Sequence, residues 1–229
     1  MMRTFLLACA TFFMCLVLSG NVYAKRYGSK ICESPEYTCY TTKKGDTWAK
    51  LFPDETERDI IKRINRMNVP LPRGTKIAIP VMVGTDYMEH APFPEQDDAT
   101  GNKYIVISLS KLAFGAYGED GVLQYWGPIS PGKNYCSDIR RGCRTPTGTF
   151  AIYSKRGAGC KSSKYPVGKG GAPMPYCMFF HRGYAMHGAK QVPGYPASHG
   201  CIRMDTVDAK WLSNTFTAGV SKVPVIISK

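Results

Sequence analysis

The chain contains no Cys-x-x-Cys and no His-Glu-x-x-His, and it has only four histidines in 229 residues. Structural zinc sites need two pairs of Cys or His ligands a few residues apart. His199 and Cys201 are too close for ordinary pairing, so no zinc site is expected. Beyond the first two dozen residues no stretch is apolar enough to span a bilayer. Acidic residues are scarce: 17 Asp and Glu stand against 30 Lys and Arg, a net charge of +13. That balance excludes an acidic, solvating tail and suggests an anionic partner or surface, the alternative being a basic surface that only keeps the protein soluble.

Residues 1–24 have the layout of a secretory signal. A single Arg3 precedes the apolar run Phe5 to Leu18, polar Ser19-Gly20-Asn21 follows, and Val22-Tyr23-Ala24 offers small residues for cleavage. An uncleaved anchor is the alternative. Cys15, in FFMCLV, lacks the small neighbours of a lipoprotein site. An exported, periplasmic protein is therefore expected, with stem carboxylates of the cell wall or anionic lipid as anionic partners rather than nucleic acid. Nothing in the sequence sets the oligomeric state.

Export makes the cysteine count informative. Of nine cysteines, Cys9 and Cys15 would leave with the signal and seven remain. Seven is odd, so at least one thiol stays free or bonds another chain. Local spacing suggests Cys32–Cys39, Cys136–Cys143 and Cys160–Cys177, staples suited to an oxidising compartment. This scheme leaves over Cys201, in YPASHGCIRMD.

Four regions follow along the chain: the signal at 1–24, a compact unit at 37–81, a Pro- and Asp-containing linker at 82–102, and a strand-rich domain at 103–229. In the first unit Tyr40 to Thr42 reads as a strand and Lys43-Lys44-Gly45-Asp46 as a turn. Asp46 or Thr47 is placed to cap a helix. A second helix is expected from about Glu57 to Arg66, with Ile60, Ile61 and Ile64 on one face. Lys76 to Pro80 alternates like a closing strand. The later domain contains KYIVISLS, GVLQYWGPIS, GTFAIYSK, YCMFFHR, YAMHG and KVPVIIS, and one clear helix at Asp205 to Phe216. Many short strands between Gly/Pro turns make it mainly β, a sandwich or barrel.

Cys201 has the neighbours a thiol nucleophile needs. Histidine is the natural base because it titrates near neutrality. His187, on a strand ending in Gly188, and His199 are both candidates. Gly200 lets the backbone approach closely, so that the amides of Gly200 and Cys201 could face an oxyanion. A helix opening just after Cys201 would lower the thiol pKa.

Two resemblances rest on these residues. Gly45-Asp46-Thr47, Asn65 or Asn68, and Leu71-Pro72-x-Gly74-Thr75-x-Ile77-x-Ile79-Pro80 resemble a LysM module. That implies a small βααβ domain binding cell-wall glycan; a folded spacer or dimer contact is the alternative. His187-Gly188 followed by Ser198-His199-Gly200-Cys201-Ile202-Arg203-Met204, with the upstream Arg144-Thr145-Pro146-Thr147-Gly148-Thr149-Phe150, resembles the YkuD-type L,D-transpeptidase signature. The gap between His187 and Ser198 is shorter than in many members. The resemblance implies a β-sandwich with one helix after the nucleophile. It implies Cys201 as nucleophile, His187 as general base oriented by the Gly188 carbonyl, and His199 as support. The amides of His199, Gly200 and Cys201 would line the oxyanion hole. Arg203 would anchor a stem carboxylate or tie the loop together, and Ser198 would fix the loop. Tyr184 and Tyr195 would wall the cleft, and GKGGAPMP would form part of a lid. The implied reaction is acyl transfer through a Cys thioester from a tetrapeptide stem to an amine, either another stem or a wall-anchored lipoprotein, needing no cofactor and no metal, with acylation by carbapenems also implied. An L,D-carboxypeptidase of the same chemistry and a non-catalytic glycan-binding protein are the alternative functions.

Overall fold

The computed structural model describes residues 25–165 and 171–229; the expected signal at 1–24 lies outside them. Among the described residues no helix is long and apolar enough to cross a membrane. The chain opens with a short helix α1 (Tyr27–Ile31), then β1 (Tyr37–Thr41), α2 (Trp48–Leu51), α3 (Glu55–Ile64) and β2 (Lys76–Pro80). β1 and β2 pair antiparallel, Tyr37 opposite Pro80. Thr47, not Asp46, caps α2 by accepting from the Lys50 amide at 3.2 Å. Asp46 instead ties the turn, accepting from Lys43 N at 2.7 Å and the Tyr40 hydroxyl at 2.9 Å. α3 is started by Asp54, which accepts from Glu57 N at 2.8 Å. Glu55 and Glu57 in its first turn and Lys62 and Arg63 in its last complement the helix dipole. Trp48, Phe52, Ile61, Met67, Leu71 and Ile77 make the core of this unit. Asn65 is fully buried and stitches it together, donating to Ile61 O and Ala78 O and accepting from Ala78 N.

The remaining strands are β3 (Tyr104–Ser108), β4 (Ala113–Tyr117), β5 (Leu123–Ser130), β6 (Gly148–Ala151), β7 (Ser154–Lys155), β8 (Met178–His181), β9 (Tyr184–Gly188), β10 (Ile202–Met204) and β11 (Pro224–Ser228). α4 (Thr206–Trp211) runs into a π-helical turn at Leu212–Phe216. They form one mixed nine-stranded sheet in the order β6-β11-β3-β4-β5-β10-β9-β8-β7. Its two end strands, β6 and β7, are separated in the chain by only Ile152 and Tyr153. The sheet must therefore curl until its ends meet, and it is a curled single sheet rather than the expected two-sheet sandwich. Ile105, Ile107, Phe114, Ile129, Met178 and Met186 are among the residues filling the interior, and Ala209 of α4 and Leu212 of the π-helical turn close it.

The stretch expected as a linker is laid against the sheet. A 3-10 turn at Tyr87–His90 accepts the Trp126 indole N–H on the Tyr87 carbonyl at 2.9 Å. The Tyr117 hydroxyl donates to Pro94 O at 2.8 Å, and Gln96 bridges to Val122. The N-terminal unit is docked too. Arg63 of α3 reaches Asp208 of α4 at 3.1 Å and donates to the Trp126 carbonyl at 2.6 Å, with its guanidinium over the rings of Tyr87, Tyr125 and Trp126.

Candidate active site

β9 and β10 run parallel and adjacent, Arg203 opposite His187 and Met204 opposite Gly188. This register sets Cys201, just before β10, beside the start of β9. Among the described residues the disulfides are Cys32–Cys39, Cys136–Cys143 and Cys160–Cys177, the scheme that local spacing suggests. Cys201 is the free cysteine among the described residues. It packs against Cys160, Cys177, Met174, Ala185 and Phe179. Burial pushes its thiol pKa up, while a backbone hydrogen bond from Ala185 and the charge of Arg203 pull the other way. This reverses the expectation of an acidic thiol. β10 separates Cys201 from α4, so the helix N-terminus does not open at the sulfur.

His187 is buried, and its Nδ1 lies 2.9 Å from the Gly188 carbonyl. A carbonyl only accepts, so Nδ1 carries the proton and Nε2 keeps a free lone pair. Burial pushes the imidazole pKa down to about 4, helped by the Arg203 charge and opposed by the Gly188 hydrogen bond. Burial thus favours the neutral form of both side chains, the Cys201 thiol and the His187 imidazole.

The Ser198–Cys201 turn is held at every residue. Ser198 N donates to Pro131 O at 3.0 Å, and Ser198 O accepts from Lys133 N at 3.0 Å. The Ser198 hydroxyl donates to the Cys201 carbonyl and accepts from Gly200 N at 3.0 Å. The Gly200 amide is therefore committed within the turn and is not free to face an oxyanion, a correction to the sequence-based expectation. Gly200 has φ +120°, and a Cβ there would lie 2.5 Å from the Tyr184 ring, so glycine is required. Thr145, buried in the upstream Arg-Thr-Pro segment, accepts from Gly132 N at 2.9 Å and donates to Gly200 O at 2.8 Å.

The other expected residues are distributed as follows. Tyr184 packs its ring on Gly200. Tyr195 lies under the Arg26 guanidinium at 5.1 Å, and its carbonyl accepts from Ser130 Oγ at 2.8 Å. Arg203 is half-buried, no carboxylate among the described residues pairs with it, and burial lowers its pKa. His199 is engaged by Asp138 and Tyr165. Its Nε2 lies 2.7 Å from Asp138 Oδ2, and its ring stacks on Tyr165 with centroids 4.9 Å apart. Asp138 is held below its usual pKa chiefly by that hydrogen bond. Cys136 Sγ lies nearby, but its sulfur is bonded to Cys143, so the trio is no ligand set for a metal.

Sequence reasoning missed Asp138, and it missed the part Thr145 and Asn68 play here. Asp138 is 61 positions from His199 and comes close because the Cys136–Cys143 loop folds over the turn. Thr145 stood in a quoted motif without a role. Asn68, one of two asparagines quoted for the LysM-like motif, reaches the loop between His187 and Ser198: its Nδ2 donates to Ala189 O at 3.0 Å.

Among solved structures, the chain is similar to the L,D-transpeptidase (residues 123–326) from Xylanimonas cellulosilytica, with a TM-score of 0.55 at 22% identity over 85% of this chain and 98% of that one. It is also similar to the L,D-transpeptidase (Yku) from Stackebrandtia nassauensis, with a TM-score of 0.47 at 21% identity over 61% of each chain. At 22% identity the likeness to the first of these concerns the fold alone. No curated protein matches. The family model for the YkuD L,D-transpeptidase catalytic domain matches residues 102–227, more than half of the chain. The chain belongs to the YkuD family of L,D-transpeptidase catalytic domains.

Proposed function

We propose that this protein is a periplasmic peptidoglycan L,D-transpeptidase in which Cys201 is the nucleophile and His187 the general base. The observation that carries this reading is the free Cys201 thiol beside β9, whose buried His187 has Nδ1 committed to Gly188 O and Nε2 left to take a proton. Cys201 Sγ attacks the carbonyl of the third stem residue while its proton passes to His187 Nε2. The oxyanion is met by the amides of Cys201 and His199, since Gly200 N is engaged by Ser198. The tetrahedral adduct collapses, the C–N bond breaks, and His187 returns the proton to the departing D-alanine amine. An acceptor amine then attacks the thioester, losing its proton to His187, and the thiol is released. A burial-raised thiol pKa suits this sequence, because proton transfer accompanies attack rather than preceding it.

Half-buried Arg203, opposite His187 and without a carboxylate partner among the described residues, favours anchoring of a stem carboxylate over tying the loop. The N-terminal unit serves as a LysM-like module for wall glycan. The shallow groove between Thr42-Lys43-Lys44 and Arg73-Gly74 is its contact surface. The amine acceptor is a second stem, giving a 3→3 cross-link, or a wall-anchored lipoprotein.

The test is mass spectrometry of muropeptides after incubating the mature protein with tetrapeptide stems, beside Cys201→Ala. Cross-linked dimers that vanish in the variant support transfer. Tripeptide alone would mean an L,D-carboxypeptidase. No change from a folded protein given stem and acceptor would sink the catalytic reading in favour of a glycan-binding scaffold.

A further inference from the structure

Residues 189–197 join His187-Gly188 to Ser198–Cys201, so the placement of this loop sets where base and nucleophile stand. At its C-terminal end the sheet holds it: Ala197 N donates to Ser130 Oγ at 3.1 Å, and Ser130 Oγ donates to Tyr195 O at 2.8 Å. At its N-terminal end the partner is the N-terminal unit. Asn68 Nδ2 donates to Ala189 O at 3.0 Å, Asn68 Oδ1 accepts from Val192 N at 2.7 Å, and Asn68 N donates to Val192 O at 3.0 Å. Met67 bridges to Pro193, Arg26 donates to Pro193 O, and Tyr27 N donates to Gly194 O at 2.8 Å.

The clasp sits next to the base. Gly188 O orients the His187 ring, and the following carbonyl, Ala189 O, is the one Asn68 holds. Ala189 N donates to Met204 O at 2.9 Å, so this peptide is fixed from both sides. The unit can bear on it because it is itself anchored, Arg63 to Asp208 and Trp126 O, and Arg66 Nε to Lys111 O at 2.9 Å. We infer that Asn68 is a positioning residue of the active site: through Ala189 and Val192 it fixes the peptide chain after Gly188 and thereby the tautomer and orientation of His187. The N-terminal unit is then a working part of the catalytic domain, not a tethered wall-binding module alone. For the chemistry this inference rests on the transpeptidase reading. For the geometry it stands apart from it.

Nitrogen-detected NMR of the histidine rings in the full mature chain tests it without any substrate. His187 resonances are assigned with His187→Gln, and the uncharged variants Asn68→Leu and Asn68→Ala are compared with wild type. Arg203, the charged group facing His187 from β10, and Thr206, which α4 packs on Gly188, are unchanged in all of them. The expected result is a single Nδ1–H tautomer in wild type. In either folded variant the tautomers mix and the His187 titration moves up from about 4 toward 6.5 as the loop opens to water. Where transfer is measurable, kcat falls by about tenfold with KM little changed, as a misaligned base requires. A folded variant with wild-type tautomer and titration overturns the inference. If both variants lose the fold, wild-type hydrogen exchange decides: a Val192 amide exchanging as fast as open loop amides overturns it, and a protected one supports it. Absence of transfer in wild type would sink the function while leaving these readouts intact.

Discussion

Lowering the pH from 7 to 4 forces a choice on His187 that the unfolded chain does not face. Unfolded, the imidazole titrates near 6.5; folded, burial holds it down to about 4. Between those values the unfolded state binds more protons, so stability rises with pH across the window and is lost as pH falls through it. At ~1.36 kcal/mol per pH unit, the gap corresponds to about 3 kcal/mol, complete below pH 4 and absent above 6.5. His187 is only 6% exposed, so solvent screening takes little from this figure. Carboxylates also titrate toward pH 4, and the comparison with His187→Gln removes their contribution. Urea unfolding of both chains at pH 7, 6, 5 and 4 is the assay. The wild type should lose about 3 kcal/mol more than the variant over that range. Equal pH dependence in the two chains would mean that the ring is hydrated or already paired, and the assignment of a buried neutral base would fall with it.

Three further perturbations follow from other contacts. Arg63→Met leaves Asp208 buried, with one carboxylate oxygen already lacking a partner, and should cost ~3–5 kcal/mol in urea unfolding; Arg63→Met with Asp208→Asn should recover much of the loss. Gly200→Ala forces a side chain into φ +120° and onto the Tyr184 ring, and should cost ~1–3 kcal/mol and abolish acylation of Cys201, read by intact mass after carbapenem treatment. Asp138→Ala removes a partner that is 46% exposed, so the midpoint of thermal unfolding should barely move, while acyl transfer slows because His199 loses its orienting partner.

How far these features were legible in the sequence depends on whether a signal is local. The strands β3, β5, β9 and β11 alternate or carry β-branched runs, and they stand where the patterns put them. β4 was missed because AFGAY is buried along its whole length and offers no polar face to alternate with. β10 was missed because three residues between a turn and a helix are too few to show a period. The disulfide scheme could be proposed because each bridge closes a short loop. Cys201 could be singled out as the unpaired cysteine because three local pairings leave it over, and His187 could be named as its candidate base because His-Gly stands shortly before Ser-His-Gly-Cys. Their protonation could not: the motif with its expected helix argues for an acidic thiol, whereas burial among Cys160, Cys177 and Met174 argues for a neutral one, and burial is a property of packing. Asn65 and Asn68 make the same point within one segment. Three positions apart, the two are alike to any sequence pattern. Asn65 closes the small unit on itself, and Asn68 reaches over to Ala189 and Val192 on the loop between His187 and Cys201. Only the docking of one unit on the other separates the two, and contacts as remote in the sequence as Arg63 with Asp208 and Arg66 with Lys111 hold that docking.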